Sequence, residues 1–311
     1  SMFKYYCDDL QDFENCLSLL YKIPSHILHH GNSKTAYYYT LKCAAKSNQG
    51  YKWLEEIYHN MIHKDQLQPI SPMYYFMFQI LLQNPNDALA IHLFHAYRKS
   101  HTNVLDNTYN EDHEEDYSLQ EIMDESKVNE FSLTCYYIML KYFTEAGRYD
   151  IVCQISNILE IHGIASSKRV YYSKMNSLVK CIEKSTVPTR IPYWKFQATM
   201  YSILIEMINK NIPLEKSIIN GCFTIMNIYR RPFQLIKLFH LTCKLKIKLN
   251  GYSYTMLLQA LGILKMDYTI VTATFDAIED AHSNAAVPLS SYIYSAFFKA
   301  LQSCSYVPNE I

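Results

Sequence analysis

The chain has 311 residues, 49% of them apolar and 19% charged, and its 29 basic side chains balance its 29 acidic ones. Seven glycines and ten prolines are too few for Gly-rich phosphate loops or for a sandwich that turns every ten or so residues, so the composition points to helices joined by short polar turns. No stretch reaches the roughly 18 apolar residues of a membrane span. Nine scattered cysteines without a Cys-x-x-Cys pair read as reduced core thiols of an intracellular protein rather than as a disulfide framework.

Ser1-Met2 reads as a cleavage scar, with no signal or transit peptide legible after it. Residues 35–47, TAYYYTLKCAAKS, carry apolar side chains at helical spacing. Asn48-Gln49-Gly50 interrupts, and YKWLEEIYHNMIHK resumes the pattern, which predicts a helical hairpin. The same design follows in PMYYFMFQILLQ, a break at Asn84-Pro85-Asn86, and DALAIHLFHAYRK. It returns in LTCYYIMLKYFTEA, a break at Gly147, and RYDIVCQISNILEIHG, and a fourth unit opens at KRVYYSKMNSLVKCIEK. Beyond 185 the predicted helices are IPYWKFQATMYSILIEMINK, LEKSIINGCFTIMNIY, PFQLIKLFHLTCKLKIK, YSYTMLLQALGILK, YTIVTATFDAIEDAH and SSYIYSAFFKALQ. Pro213, Pro232 and Pro288 stand where helices should begin, since a first-turn residue needs no N–H.

Aligning the second helices by their apolar positions brings tyrosine pairs into register at 38/39, 74/75, 136/137 and 171/172. The steps between second members are 36, 62 and 35 residues, so the long step is one repeat plus an insertion. The polar segment 101–130 fits that insertion and predicts an acidic solvated loop between helical repeats at 1–100 and at 131–311. The reading is an all-α fold, a right-handed solenoid of about seven hairpins, because one hairpin cannot cover its own apolar face and must stack on its neighbours.

This repeat resembles the pentatricopeptide repeat, a helical hairpin of organellar RNA-binding proteins. Thr134–Ser167 carries the resemblance best. Tyr136 stands at the aromatic position of the first helix, Ala146-Gly147-Arg148 at the turn, Asp150 after it, and His162-Gly163-Ile164 at the exit. Residues 36–70 and 72–99 fit more loosely, and the fit from 168 onward is partial. The tryptophan-leucine-glycine-tyrosine pattern of tetratricopeptide repeats is absent. The divergent pattern and the Asn-, Tyr- and Ile-rich composition resemble the fungal mitochondrial branch. The resemblance implies a mitochondrial-matrix protein that stabilises, processes or activates translation of a transcript. Single-stranded RNA would be its partner, with the mitochondrial ribosome or RNA-processing proteins beside it. Where the family normally places Asn, Thr or Ser after the aromatic residue, this chain has Tyr39, Tyr75, Tyr137 and Tyr172, which implies stacking on bases in place of a base-edge code.

Charge is separated along the chain. Residues 101–130 hold ten acids against Lys127, and 168–248 hold fifteen Lys and Arg against Glu183, Glu206 and Glu215. Lys168, Arg169, Lys174, Arg190, Lys195, Arg230 and Arg231 are therefore candidate phosphate contacts beside the four tyrosines. The same cations would also serve simply to keep helix faces hydrated, and the tyrosines to pack a core. The acidic segment either stays solvated or folds back on the basic half and competes with RNA. His59/His63 and His92/His95 are spaced to share an ion, yet no third ligand is evident and Asn60 stands where a zinc protease has Glu. No nucleotide loop, serine elbow or kinase set is present, and the chain is expected to be no enzyme and to need no cofactor or metal. The other open reading is a tetratricopeptide-like scaffold whose groove takes a peptide or a partner helix.

Overall fold

In a computed structural model of the chain, the described residues are 2–22, 32–47, 49–106, 125–161, 168–184, 193–247, 249–283 and 289–305, and every regular element among them is helical. The chain divides into two compact units, Ser1–Ala146 and Gly147–Ile311.

The first unit contains α1 (Met2–Lys4), which runs on as a π turn over Tyr5–Asp9, then α2 (Phe13–Lys22), α3 (Asn32–Lys46) and α4 (Leu54–His59), which ends in a π turn over Asn60–Lys64. They are followed by α5 (Ser71–Gln83), α6 (Asp87–Asp106) and α7 (Glu125–Ala146). Helices α2, α3, α5 and α7 pack each on the next, and α6 packs on α5. The α5 sequence accounts for its place. Pro72 sits in the first turn, and Met73, Tyr74, Met77, Phe78, Ile80 and Leu81 are all buried. On α6 the buried set Ala90, Leu93, Phe94 and Tyr97 follows the i, i+3, i+4, i+7 stripe. Aromatic edges join these helices. Phe143 lies 5.9 Å from Phe78 and 5.8 Å from Phe94, and Tyr97 bridges Tyr74 at 5.0 Å and Tyr136 at 5.2 Å. Each such pair is worth about 0.5–1.5 kcal/mol beyond its area.

The N-terminal helices fold over α3. Asp8 pairs with Lys42 at 2.7 Å, the thiols of Cys7, Cys16 and Cys43 are all buried, and the Cys16 thiol donates to the Phe3 carbonyl at 3.9 Å.

The second unit contains α8 (Tyr149–Ile161), α9 (Lys168–Lys184), α10 (Tyr193–Asn209), α11 (Lys216–Ile228) and α12 (Pro232–Lys244). It ends with α13 (Gly251–Ile263), α14 (Tyr268–Ser283) and α15 (Ser291–Gln302). Helices α9, α11, α13 and α15 pack in succession, α8 and α10 lie against α9, α12 touches α11 and α13, and α14 touches α13 and α15. Gly147 opens this unit at φ +74°, and a Cβ there would stand 2.9 Å from the Cys181 backbone nitrogen on α9, so only glycine fits. Pro232 is the first residue of α12, as expected, and Asn250 caps α13 by accepting from the Ser253 N–H at 3.1 Å.

Two expectations change. The acidic segment is not a loop throughout, because α6 runs to Asp106 and α7 begins at Glu125; residues 107–124 lie outside the described residues. The compact units part at 146/147 and not at the insertion.

Candidate nucleic-acid interface

Consecutive residues on a helix lie about 100° apart, so one tyrosine of each pair must leave the core. In three pairs the first ring is buried: Tyr74, Tyr136 and Tyr171 are each less than a tenth exposed. Tyr75 and Tyr137 are half-buried and Tyr172 is 46% exposed. The pair on α3 is inverted. Tyr38 is half-buried, whereas Tyr39 is only 8% exposed, set edge-on to Tyr38 at 5.1 Å with the Lys42 ammonium 5.6 Å over its ring. The physical cause is the N-terminal helix and its π turn, which pack on α3. Tyr39 therefore does not stand in an exposed row with the other three. Tyr75 is partly engaged as well, its hydroxyl accepting from Gln79 Nε2 at 2.8 Å.

Tyr172 lines a cleft of about 240 Å³ between α9 and α11. Met175, Asn176 and Val179 complete the α9 wall, and Ser217, Asn220, Gly221 and Thr224 form the α11 wall. Gly221 permits this close approach, since a Cβ there would fall 2.5 Å from Met175 Cγ. The polar groups are oriented from α13. Ser253 Oγ lies 2.5 Å from Asn220 Oδ1 and 3.0 Å from Asn250 Oδ1 and so holds the Asn220 amide at the cleft wall, and the Thr224 and Tyr252 hydroxyls share a hydrogen bond of 3.1 Å. Tyr252 is 48% exposed. On α15, Tyr292 is 77% exposed at the first turn, close to the start of α13, where Gly251 approaches Ile293. The first-helix face of this unit thus offers three exposed phenols and two amides. Tyr252, Tyr292, Asn176 and Asn220 escape the repeat alignment, although the aromatic runs YSY and SYIY mark two of them.

The candidate cations divide into groups. Lys168 is exposed and pairs with Glu215 at 2.6 Å, and Arg169 is exposed beside it at the start of α9. Lys195, Arg230 and Arg231 are exposed, and the Arg231 guanidinium stacks 4.7 Å from the Tyr193 ring centroid at the start of α10. Arg190 lies outside the described residues. Lys174 is no surface cation. Its side chain is 9% exposed, with the ammonium 3.4 Å from Glu206 and 5.0 Å over the Tyr171 ring. Glu206 also accepts from the Tyr171 hydroxyl at 2.8 Å and from Lys210 at 3.1 Å, and Lys210 reaches Glu160. Burial raises the Glu206 carboxyl, but the Tyr171 hydroxyl and the two ammoniums outweigh it and hold the group below its ordinary range. Burial pushes the Tyr171 phenol up. Two cations and two carboxylates balance here, so Lys174 has little charge to offer a phosphate.

The His59 and His63 rings lie 4.6 Å apart and His92 meets Tyr58 edge-on at 5.7 Å, and among the described residues no three His, Cys, Asp or Glu side chains converge as a metal site would require. No known protein-family model matches the chain, and no curated protein is significantly similar to it.

Proposed function

We propose that the protein binds single-stranded RNA along the first-helix face of its second unit, in a solenoid of stacked helical hairpins. The observation that carries this reading is Tyr172 standing half-exposed over a cleft lined by Asn176 and Asn220. A ring offers a stacking surface to any base, and an amide offers hydrogen bonds to a base edge. Exposed Lys168, Arg169, Lys195, Arg230 and Arg231 add the positive field that attracts a polyanion. Tyr39 and Lys174 fall out of the binding set, and Tyr252 and Tyr292 join it. The mitochondrial matrix as location, and stabilisation, processing or translational activation of a transcript as role, rest on the resemblance to pentatricopeptide repeats.

Fluorescence anisotropy with labelled single-stranded RNA tests the reading. Tyr172→Ala and Tyr252→Ala should each weaken binding roughly 5- to 150-fold, the range of one lost base–aromatic stack. Arg231→Ala should lower the salt slope by about one. Losses below twofold in both tyrosine variants sink the proposal. A second reading, as a protein-binding scaffold, is favoured by an apolar cleft of about 600 Å³ between α12 and α14, lined by Phe239, Cys243, Ile270, Ala273 and Ile278 over Tyr254. Binding there would be nearly indifferent to salt, whereas RNA binding falls steeply with it.

A further inference from the structure

The dipeptide Asn-Gly occurs twice in the chain, at 220–221 and at 250–251, both times in the second unit. An asparagine side chain is most open to attack by its own main chain in this pairing, because the residue that follows has no Cβ to shield its nitrogen. The fold treats the two copies differently. Asn220-Gly221 lies inside α11, where the Gly221 N–H belongs to the helical ladder and Met175 and Val179 of α9 crowd the glycine. Asn250 stands just ahead of α13, exposed and in extended backbone at φ −112° and ψ 175°, and Gly251 is the first residue of that helix. A first-turn N–H has no carbonyl to bond within its helix, and that of Gly251 donates to none of the described carbonyls outside it.

We propose that Asn250 is a site of spontaneous succinimide formation, at which the folded chain converts its own asparagine to aspartate or isoaspartate with water as the co-reactant. The Gly251 nitrogen yields its proton to hydroxide and bonds to Asn250 Cγ. The Cγ–Nδ2 bond then breaks, and the amide leaves as ammonia with a proton taken from water. Water opens the resulting imide at one of its two carbonyls: attack at Cγ gives aspartate, and attack at the main-chain carbonyl gives isoaspartate.

The cap supplies what the slow step requires. Asn250 Oδ1 bears the negative charge of the tetrahedral intermediate, and it already accepts from the Ser253 N–H at 3.1 Å and lies 3.0 Å from the Ser253 hydroxyl. Donors fixed around a developing oxyanion lower the barrier here as they do in an acyl-transfer site. The N-terminal pole of α13 favours negative charge on that oxygen and on the deprotonated Gly251 nitrogen alike. No ladder hydrogen bond has to break to free the nucleophile, whereas Asn220 can react only when α11 opens.

The two products leave different helix ends. Aspartate keeps an acceptor at the cap and places a carboxylate where a helix N-terminus favours one. Isoaspartate lengthens the main chain by one carbon and takes the acceptor out of register, so α13, on which α11, α12 and α15 all pack, begins without its cap. Either product adds one negative charge to a chain whose formal net charge is zero, which isoelectric focusing resolves.

Incubation of the whole chain at mildly alkaline pH, followed by peptide mapping in a mass spectrometer, tests the proposal against a sample held unfolded in guanidinium. Unfolded, the two Asn-Gly pairs should react at similar rates. Folded, Asn250 should stay within about tenfold of that rate, and Asn220 should fall more than about tenfold below Asn250. In Gly251→Ala the new Cβ meets only the tip of Ile293 at 3.3 Å, so the circular dichroism spectrum should hold while the reaction at 250 slows by at least about tenfold. An Asn250 that stays intact in the folded chain but reacts in guanidinium overturns the proposal. So does an Asn220 that keeps pace with it in the folded chain, or a Gly251→Ala chain that reacts at the wild-type rate.

Discussion

Glu206 is the residue on which the ionic cluster of the second unit depends, and its replacement by Gln isolates that dependence. The variant keeps the shape but removes the charge that three donors share: the Tyr171 hydroxyl at 2.8 Å, Lys210 at 3.1 Å and Lys174 at 3.4 Å. Lys210 retains Glu160, so its loss is small. Lys174 retains no carboxylate, and its side chain is 9% exposed. Leaving a buried charge without a partner costs about 3–5 kcal/mol when both groups are fully buried. Glu206 is 31% exposed, so solvent reaches the site and the expected loss falls to about 2 kcal/mol.

Lys174→Met should cost less, about 1 kcal/mol, because Glu206 keeps two donors and the methionine stem still packs on Tyr171. The double variant should lose less than the sum of the two, with a coupling of about 1 kcal/mol, since each single change already breaks the same pair. Urea unfolding at neutral pH, followed by circular dichroism, reads all four corners of the cycle. The pH dependence is a second measure. The folded Glu206 titrates below its ordinary value of 4.5, so its contribution is fully present above that value and disappears as pH falls through the lower folded value. The gap between wild type and Glu206→Gln should therefore close on acidification and stay constant above pH 5. A loss under 0.5 kcal/mol at neutral pH, or additive single variants, would refute the reasoning.

Gly147→Ala should cost at least about 2 kcal/mol, since it combines a strained positive φ with a Cβ pressed on the α9 backbone, which cannot yield as a side-chain tip would; thermal unfolding measures it, and an unchanged midpoint contradicts the described turn. Asn250→Ala removes the cap of α13 and one partner of the Ser253 hydroxyl, for about 1 kcal/mol. Asn250→Asp should restore most of it, by the same measurement.

Much of the helical plan was legible because apolar spacing is a local signal. KRVYYSKMNSLVKCIEK was expected to be helical and is α9 from end to end, and PFQLIKLFHLTCKLKIK starts α12 at Pro232 as its proline implies. Local signals do not reveal what covers a face. Tyr39 follows a tyrosine just as Tyr172 does, but the N-terminal helix and its π turn pack on the helix that carries it, and nothing in the repeat announces them. Lys174 was correctly counted among the cations of a basic segment, yet its partner Glu206 lies 32 residues away on another helix. Tyr252 and Tyr292 were missed for the opposite reason. The repeat period lapses after 185, and an alignment by period discards a residue whose exposure is set by its own helix.

The sulfurs of Cys7, Cys16 and Cys43 are sealed between the N-terminal helices and α3, and Cys243 is exposed on α12. Alkylating reagents can reach the hidden trio only when the amino-terminal segment lifts away, so their labelling rate is a clock for that excursion, with Cys243 marking time zero. The protein carries an intrinsic chemical stopwatch for the detachment of its first two helices, readable by mass spectrometry without any added dye.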